Sequence, residues 1–423
     1  MSATSPQRVA IRDLLSQYRP GRALPRAFFH EPELYQAEMD AIWWRGWLFA
    51  GLACQIPNAG DYFVYEVDPD SIVVVRREDG TIGAMHNVCR HRGSLVATRP
   101  CGHNKAFVCP YHQWTYALDG RLLAARNMPA GLDTSRLGLR AVHTREMEGL
   151  IFICLAEVPP DFDAAADLMA PMARPQGFRS ARVARVLDYD VHANWKLVWE
   201  NNRECYHCDA CHPQYARANF DRYESDDLDE HISRQIEAAT ARSQAKWAEH
   251  GLAITHPRGG LPVFPDAEGT IWYSANRTAL VEGYITESLD GRRVAPLMGD
   301  YTDEDVGTLR LRTLPNFWCH ASCDYAVTTR LTPVGPRLTR ARATWLVHES
   351  AQEGRDYDLA SLMPFWRLTS EQDWEICERQ QRGVDSRAYE PGPLSKAKEY
   401  NLESFHRWYI RRMAEQTSVV HEV

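Results

Sequence analysis

The 423-residue chain contains no apolar stretch long enough to cross a bilayer. Its most apolar run, Gly149 to Leu155, falls far short of the ~20 residues a membrane helix requires. It also has no excess of basic residues: 48 Lys and Arg stand against 56 Asp and Glu, a net charge of −8. That balance argues against nucleic acid or an anionic membrane surface as the main partner. The opening Met1-Ser2-Ala3-Thr4-Ser5 lacks a basic segment followed by an apolar one, so no secretory signal is expected and the cytoplasm is the expected location. Internal repeats and low-complexity tracts are missing too. The eleven cysteines do not form the paired framework of a small secreted scaffold, and those outside the motif described next are expected to be reduced. A chain of this length can carry two or more domains with a large core.

What is present is chemically specific. Cys89-Arg90-His91 is followed by seventeen residues and then Cys109-Pro110-Tyr111-His112. Each short loop therefore offers one thiolate and one imidazole. The spacing, with Pro-Tyr inside the second pair, resembles the Rieske motif. Replacing two thiolates of a [2Fe–2S] cluster by imidazoles removes negative charge and raises the potential into the range of ~ −150 to +300 mV. Structural zinc uses the same ligand types, but zinc-finger spacing pairs like ligand with like. Cys89, His91, Cys109 and His112 are thus read as cluster ligands.

A cluster of this kind moves single electrons, so an acceptor is expected further on. Glu200 to Pro213 reads ENNRECYHCDACHP, in which His207 and His212 need one distant carboxylate to complete the two-His-one-carboxylate face that holds non-haem Fe(II). The preceding Asn194-Trp195-Lys196-Leu197-Val198-Trp199 spaces its apolar residues as a helix capped at Asn194. If that helix continues to Cys211, Glu200, Glu204, His207 and Cys211 share a face. The gap from His207 to His212 does not suit a regular helix, so a π-type bulge or a helix end is expected there, with Pro213 close behind. A ferredoxin reading of Cys205-x2-Cys208-x2-Cys211 fails, because its next cysteine would fall at Tyr215. The three cysteines are read as reduced packing residues.

Over nearly its whole length the chain resembles Rieske non-haem iron oxygenase α subunits, the ring-hydroxylating oxygenase class. Glu200 to Cys208, Trp345-Leu346-Val347-His348-Glu349, and Gln381-Arg382-Gly383 through Tyr389-Glu390-Pro391-Gly392-Pro393 are similar to glycine betaine and proline betaine (stachydrine) N-demethylases. The resemblance implies that Asp373 is the third iron ligand, which spacing alone does not pick out among 56 acidic residues. It also implies that Glu204 carries electrons from a neighbouring subunit's cluster to His207, within a head-to-tail homotrimer. Electrons are expected from NAD(P)H through a separate flavin/iron-sulfur reductase or ferredoxin component, with O2 as co-substrate. The expected reaction is monooxygenation of an N-methyl group with release of formaldehyde. An oxygenase for another small amine or an aromatic acid is the alternative. A mere electron carrier of the respiratory type would carry an additional cysteine in each cluster loop, and neither loop has one.

Punctuation sets the organisation. Residues 1–45 read as an N-terminal helical segment packing on the catalytic domain, 46–158 as a β-rich Rieske domain, and 159–423 as the catalytic domain. Asp79-Gly80 and Asp119-Gly120 are hairpin signals in the second of these. Beyond Pro159-Pro160, helices expected at Asn194 to Cys211, Glu230 to His250, Gln352 to Gln381 and Leu402 to Glu415 mix with strands at Ile271 to Ser274, Tyr325 to Leu331 and Leu338 to Val347. The fold class is α+β, an antiparallel sheet packed by helices. Pro257 to Pro262 reads as a loop over the active site. For a quaternary ammonium group, aromatic faces are the natural walls. Trp318 and His320, in Leu314-Pro315-Asn316-Phe317-Trp318-Cys319-His320, are the candidate substrate contacts. Cys319 and Tyr325 depart from the Asn and His of the family's stretch and are expected to alter the pocket.

Overall fold

The computed structural model describes residues 6–129, 131–220, 230–253 and 269–418. The expected loop at Pro257 to Pro262 lies outside the described residues. The chain divides into two compact units: residues 45–160 with 178–180, and residues 1–44, 161–177 and 181–423.

The unit built on residues 45–160 is all β. Its strands are β1 (Leu48–Leu52), β2 (Asp61–Val67), β3 (Asp70–Arg76), β4 (Ile82–His86), β5 (Cys101–His103), β6 (Phe107–Val108), β7 (Thr115–Tyr116), β8 (Leu122–Ala124), β9 (Ala141–Met147) and β10 (Leu150–Cys154). Seven form one sheet in the order β1-β10-β9-β4-β3-β2-β5, and β6-β7-β8 form a small second sheet. Both Asp-Gly pairs turn antiparallel hairpins, β3 into β4 and β7 into β8. Gly80 and Gly120 stand at φ +83° and +88°, a backbone region that costs glycine nothing and other residues dearly. Tyr62, Val73, Val75, Met85, Phe107, Trp114 and Tyr116 form a core that also takes in Cys89 and Cys109, so the two cluster loops are rooted in packed β structure.

The larger unit holds a six-stranded antiparallel sheet. Its strands β11 (Arg182–Val191), β12 (Tyr273–Thr278), β13 (Thr308–Thr313), β14 (Phe317–Ala321), β15 (Tyr325–Gly335) and β16 (Leu338–Val347) run in the order β11-β16-β15-β14-β13-β12. The α+β expectation holds, and the helices are α1 (Pro6–Leu15), α2 (Pro32–Glu38), α3 (Asp163–Ala173), α4 (Trp195–Asn202), α5 (Cys208–Cys211), α6 (Pro213–Ala218), α7 (Glu230–Glu249), α8 (Leu359–Leu362), α9 (Pro364–Val384) and α10 (Tyr400–Ser418). The segment expected to be helical from Gln352 starts later: Pro364 opens α9 at the position where a missing N–H does no harm. Buried Phe365, Trp366, Thr369, Ser370, Trp374, Cys377, Gln381 and Val384 recur at three- and four-residue spacing, so α9 turns one face, with Asp373 beside it, towards the sheet.

Within the larger unit, the N-terminal segment is fastened to α4 and α10 by a fully buried carboxylate. Glu38 accepts from Lys196 Nζ at 2.5 Å, Trp195 Nε1 at 2.8 Å and the Tyr409 hydroxyl at 2.6 Å. Burial pulls the Lys196 ammonium below its usual range, and Glu38 opposes that pull. The network ties α2 to α4 and α10 at the start of the helix that leads into the site.

Candidate metal centres and active site

The two cluster loops have the same backbone geometry. Gly93 N–H donates to Cys89 O (3.0 Å) and Cys89 N–H to Ser94 O (2.9 Å). In the second loop Gln113 N–H donates to Cys109 O (3.0 Å) and Cys109 N–H to Trp114 O (2.8 Å). Each loop closes four to five residues after its cysteine, with Gly93 or Gln113 at positive φ. Both cysteines are buried, while His91 and His112 are partly exposed with ring centroids 4.6 Å apart. The Tyr116 hydroxyl lies 3.2 Å from Cys89 Sγ. Burial pushes the Cys109 thiol up, but N–H groups of Tyr111 and His112 outweigh it and hold the thiol below its usual value. Two thiolates inside, two imidazoles outside and a buried His91 Nδ1 with no hydrogen-bond partner make a donor set that fits a two-iron cluster.

In the larger unit, His207, His212 and Asp373 bring their ligand atoms within 4.8 Å of one another. Nε2 of His207 and of His212 lie 3.3 Å and 2.8 Å from the same oxygen, Asp373 Oδ1. The far ring nitrogens are held as well. His207 Nδ1 is 2.5 Å from Glu204 Oε1, and His212 Nδ1 is 2.9 Å from the Gln372 side-chain amide. Both imidazoles thus present Nε2 to one point, the arrangement a two-His-one-carboxylate iron requires. Burial lowers the His207 pKa, but the Asp373 and Glu204 carboxylates on either side push it up to about 10. Burial would raise Asp373, yet hydrogen bonds from both imidazoles hold its carboxyl below the usual range.

The local backbone corrects the expectation of one helix from Asn194 to Cys211. α4 is capped by Asn194, whose side chain accepts from Lys196 N–H at 3.0 Å, but it ends at Asn202. Glu204 then folds its carboxylate onto the N–H groups of Tyr206 and His207, supplying a local alternative to helical hydrogen bonds. Glu204 and His207 therefore meet through a tight turn and not across a helical face. Glu200 is elsewhere, bonded to His406 at 2.8 Å. The five-residue gap is accommodated by a helix end: α5 stops at Cys211, His212 leaves helical geometry, and Pro213 starts α6. The same reversal sets the Cys205 and Cys208 Cα atoms 4.9 Å apart, and the two are joined by a disulfide. This corrects the expectation that both are reduced, while Cys211 is free.

Two adjoining cavities, of about 50 and 30 Å3, share Asn201, Asn202, His320, Trp366 and Asp373. The first also takes in His207, His212, Glu204 and Arg312; the second takes in Trp318, Trp374 and Thr329. Of the candidate substrate contacts, Trp318 lines the second of these cavities and His320 lines both. Their neighbour Cys319 faces the opposite side of β14, where burial raises its thiol pKa. Tyr325 is buried in the core with its hydroxyl donating to Glu287 O and lines neither cavity. The expected effects of these two residues on the pocket therefore do not act by direct contact. Sequence reasoning missed Trp366, Trp374, Asn202 and Arg312. Trp366 was within reach: it stands seven residues before Asp373, two helical turns along the same helix.

Residues 46–142 match the Rieske [2Fe-2S] domain family, and residues 178–415 match the ring hydroxylating alpha subunit (catalytic domain) family. The chain is 38% identical to the glycine betaine monooxygenase oxygenase subunit of Chromohalobacter salexigens over 408 residues, 96% of this chain and 89% of that one. It is 36% identical to the subunit of the same name from Pseudomonas aeruginosa over 411 residues, 96% of this chain and 93% of that one. The fold is similar to that of a quaternary ammonium Rieske monooxygenase of known structure, with a TM-score of 0.70, 19% identity, and coverage of 97% of this chain and 100% of the other. Both family matches and the identity over nearly the whole chain lead to one assignment: this oxidoreductase belongs to the Rieske-type ring-hydroxylating oxygenase α subunits, with a [2Fe–2S] cluster and a mononuclear iron as cofactors.

Proposed function

We propose that the protein is the oxygenase component of a system that N-demethylates a small quaternary ammonium compound of the glycine betaine or proline betaine type. The observation that carries this reading is the tryptophan-walled cavity at Asp373. Trp318, Trp366 and Trp374 line it together, with Trp318 and Trp374 centroids 6.4 Å apart. A permanent cation has no proton to donate, so aromatic faces are its best neutral partners, contributing about 0.5 to 2 kcal/mol each. The identity to glycine betaine monooxygenase subunits over 96% of the chain supports the same substrate class.

In this reading Cys89, His91, Cys109 and His112 hold the cluster, and His207, His212 and Asp373 hold the iron. Bound there, the two groups supply single-electron transfer and activation of O2. Glu204 and Gln372 fix the rings of His207 and His212 so that both Nε2 atoms converge. The tryptophans hold the ammonium with an N-methyl carbon turned to Asp373 and keep bulk water from it. One oxygen atom of O2 enters a methyl C–H bond, and the other leaves as water with two electrons and two protons. The resulting carbinolamine then breaks its C–N bond: the electron pair stays on nitrogen, the hydroxyl proton goes to solvent, and formaldehyde departs. Electrons come from a separate reductase or ferredoxin. In this reading Glu204 passes them to His207 from His112 of a neighbouring subunit in a head-to-tail trimer, a closed ring of heterologous interfaces.

The test is oxygen uptake and formaldehyde release by the reconstituted enzyme with glycine betaine, proline betaine, choline, carnitine and aromatic acids. Formaldehyde in step with oxygen for a betaine is the expected result. Hydroxylation of an aromatic acid without formaldehyde would replace this reading. A fully active monomer in light scattering under assay conditions would rule out the trimer.

A further inference from the structure

The sheet face behind the cavity carries two buried arginines. Strand β13 reads Thr-Leu-Arg-Leu-Arg-Thr, and its register sets Arg310 opposite His320 and Arg312 opposite Trp318 on β14. Cross-strand partners share a face, so both arginines lie on the side that carries the two cavity residues, while Leu309 and Leu311 face away. Arg310 is 0% exposed and Arg312 2% exposed. Arg310 is committed to the fold, donating from Nη2 to the Tyr215 hydroxyl at 3.0 Å and to Asn219 Oδ1 at 2.9 Å. Arg312 lines the cavity that holds His207, His212 and Asp373, and its Nε donates to Asn202 Oδ1 at 2.9 Å.

We propose that Arg312, flanked by His320 and Asn202, is the carboxylate-binding end of the cavity, so that the substrate is a zwitterion bearing an acid group and not a choline-type alcohol. This rests on the reading that the cavity takes a quaternary ammonium compound, and it assigns the other half of that compound. His320 is 5% exposed, lines both cavities, and its Nδ1 has no hydrogen-bond partner among the described residues. A buried nitrogen left so carries a desolvation cost that a ligand atom relieves. Burial holds the His320 imidazole well below its ordinary pKa, and Arg312 and Arg310 act in the same direction. A neutral imidazole offers one N–H to an anion. Asn202 has its oxygen engaged by Arg312, and among the described residues its amide N–H2 makes no hydrogen bond. Arg312 lines only the first cavity and Trp318 and Trp374 only the adjoining one, so the guanidinium and these two aromatic faces lie at different ends of the joined space, and both cavities reach Asp373. A compact betaine has its two charges separated in just this way. Choline carries the same trimethylammonium group but offers that end of the cavity a hydroxyl in place of a carboxylate.

The test is equilibrium binding to the iron-loaded holoenzyme, measured by calorimetry with glycine betaine, choline and the uncharged amide of glycine betaine. The wild type is expected to bind glycine betaine at least about tenfold more tightly than the other two, the scale of a charge-assisted hydrogen bond. Arg312→Gln is expected to weaken glycine betaine by about 10- to 100-fold and choline by less than about threefold, so that the two converge. Arg312→Lys keeps the charge without the planar fork and should retain part of the discrimination. Choline or the amide binding the wild type as tightly as glycine betaine overturns the assignment, and that comparison needs no variant to fold. An equal loss for all three ligands in Arg312→Gln with full iron content also overturns it. In both cases demethylation of glycine betaine by the wild type leaves the proposed function standing. A wild type that neither binds nor demethylates any of them removes both.

Discussion

Glu204 holds His207: its Oε1 lies 2.5 Å from the ring Nδ1, and the opposite ring nitrogen stands 3.3 Å from Asp373 Oδ1. A single carboxylate thereby fixes both the tautomer and the direction of a candidate iron ligand, while its other oxygen accepts from the Tyr206 and His207 N–H groups. Removing it frees the ring and the turn together.

From this follows the behaviour of Glu204→Ala. The cluster should form and be reduced normally, because its four ligands belong to the other unit. Mononuclear iron should bind about 10- to 100-fold more weakly. With iron restored by excess, cluster re-oxidation should still fail to yield formaldehyde. Glu204→Asp, one methylene shorter, should be impaired in the same direction. Single-turnover kinetics on pre-reduced protein, following the cluster spectrum and formaldehyde together, decide the matter. Near-normal coupled rates in Glu204→Ala would show that electrons take another path.

The purified protein is expected to be red-brown and to hold three irons per chain. His207→Ala should hold two and keep the visible cluster spectrum while losing activity. Iron analysis beside the absorption spectrum gives the answer, and a colourless His207→Ala protein would sink the two-centre assignment.

The stability of protein stripped of its mononuclear iron should depend on pH through His207. Its folded-state pKa of about 10 lies above the ordinary imidazole value near 6.5, because Asp373 and Glu204 outweigh burial. A raised pKa means that the folded state binds the proton more tightly than the unfolded one. The stabilisation is complete below about pH 6.5 and is lost as pH rises through about 10. Urea midpoints between pH 6.5 and 10 should therefore fall for the iron-stripped wild type and stay flatter for His207→Asn. Because iron must displace that proton, loading should weaken as pH is lowered. Parallel urea profiles for the two proteins would contradict the argument.

Glu38→Ala should destabilise the protein by about 3–5 kcal/mol, since it leaves the Lys196 ammonium buried without its partner. Replacing both residues, as Glu38→Met with Lys196→Met, should cost much less than the single change. Chemical denaturation of the three variants measures the difference, and an additive double variant would show that the pair is not coupled.

The candidate metal ligands could be picked out of the chain because they are residue types at short spacing. Cys89 with His91 and Cys109 with His112 lie close in sequence, and a loop of three or four residues has few ways to present two ligands. His207 and His212 were legible for the same reason. Asp373 was not. It is 161 residues from His212, and only resemblance to a family singled it out before the fold brought α9 against α4 and α6.

The sequence by itself determined the ligand types, the order of the units and the helix–strand mixture, since these follow from local spacing, turn chemistry and apolar periodicity. Only the tertiary structure decided which faces meet. It ended α4 at Asn202 because a side chain competed successfully for backbone N–H groups, and it joined Cys205 to Cys208 through the same reversal. It turned Cys319 away from the cavity and Arg312 towards it, since a strand's two-residue period gives alternate sides without saying which one faces the iron. That choice depends on the register of β13 against β14 and on the helix packed over them, and contacts between residues distant in sequence are settled by burial of the whole sheet face.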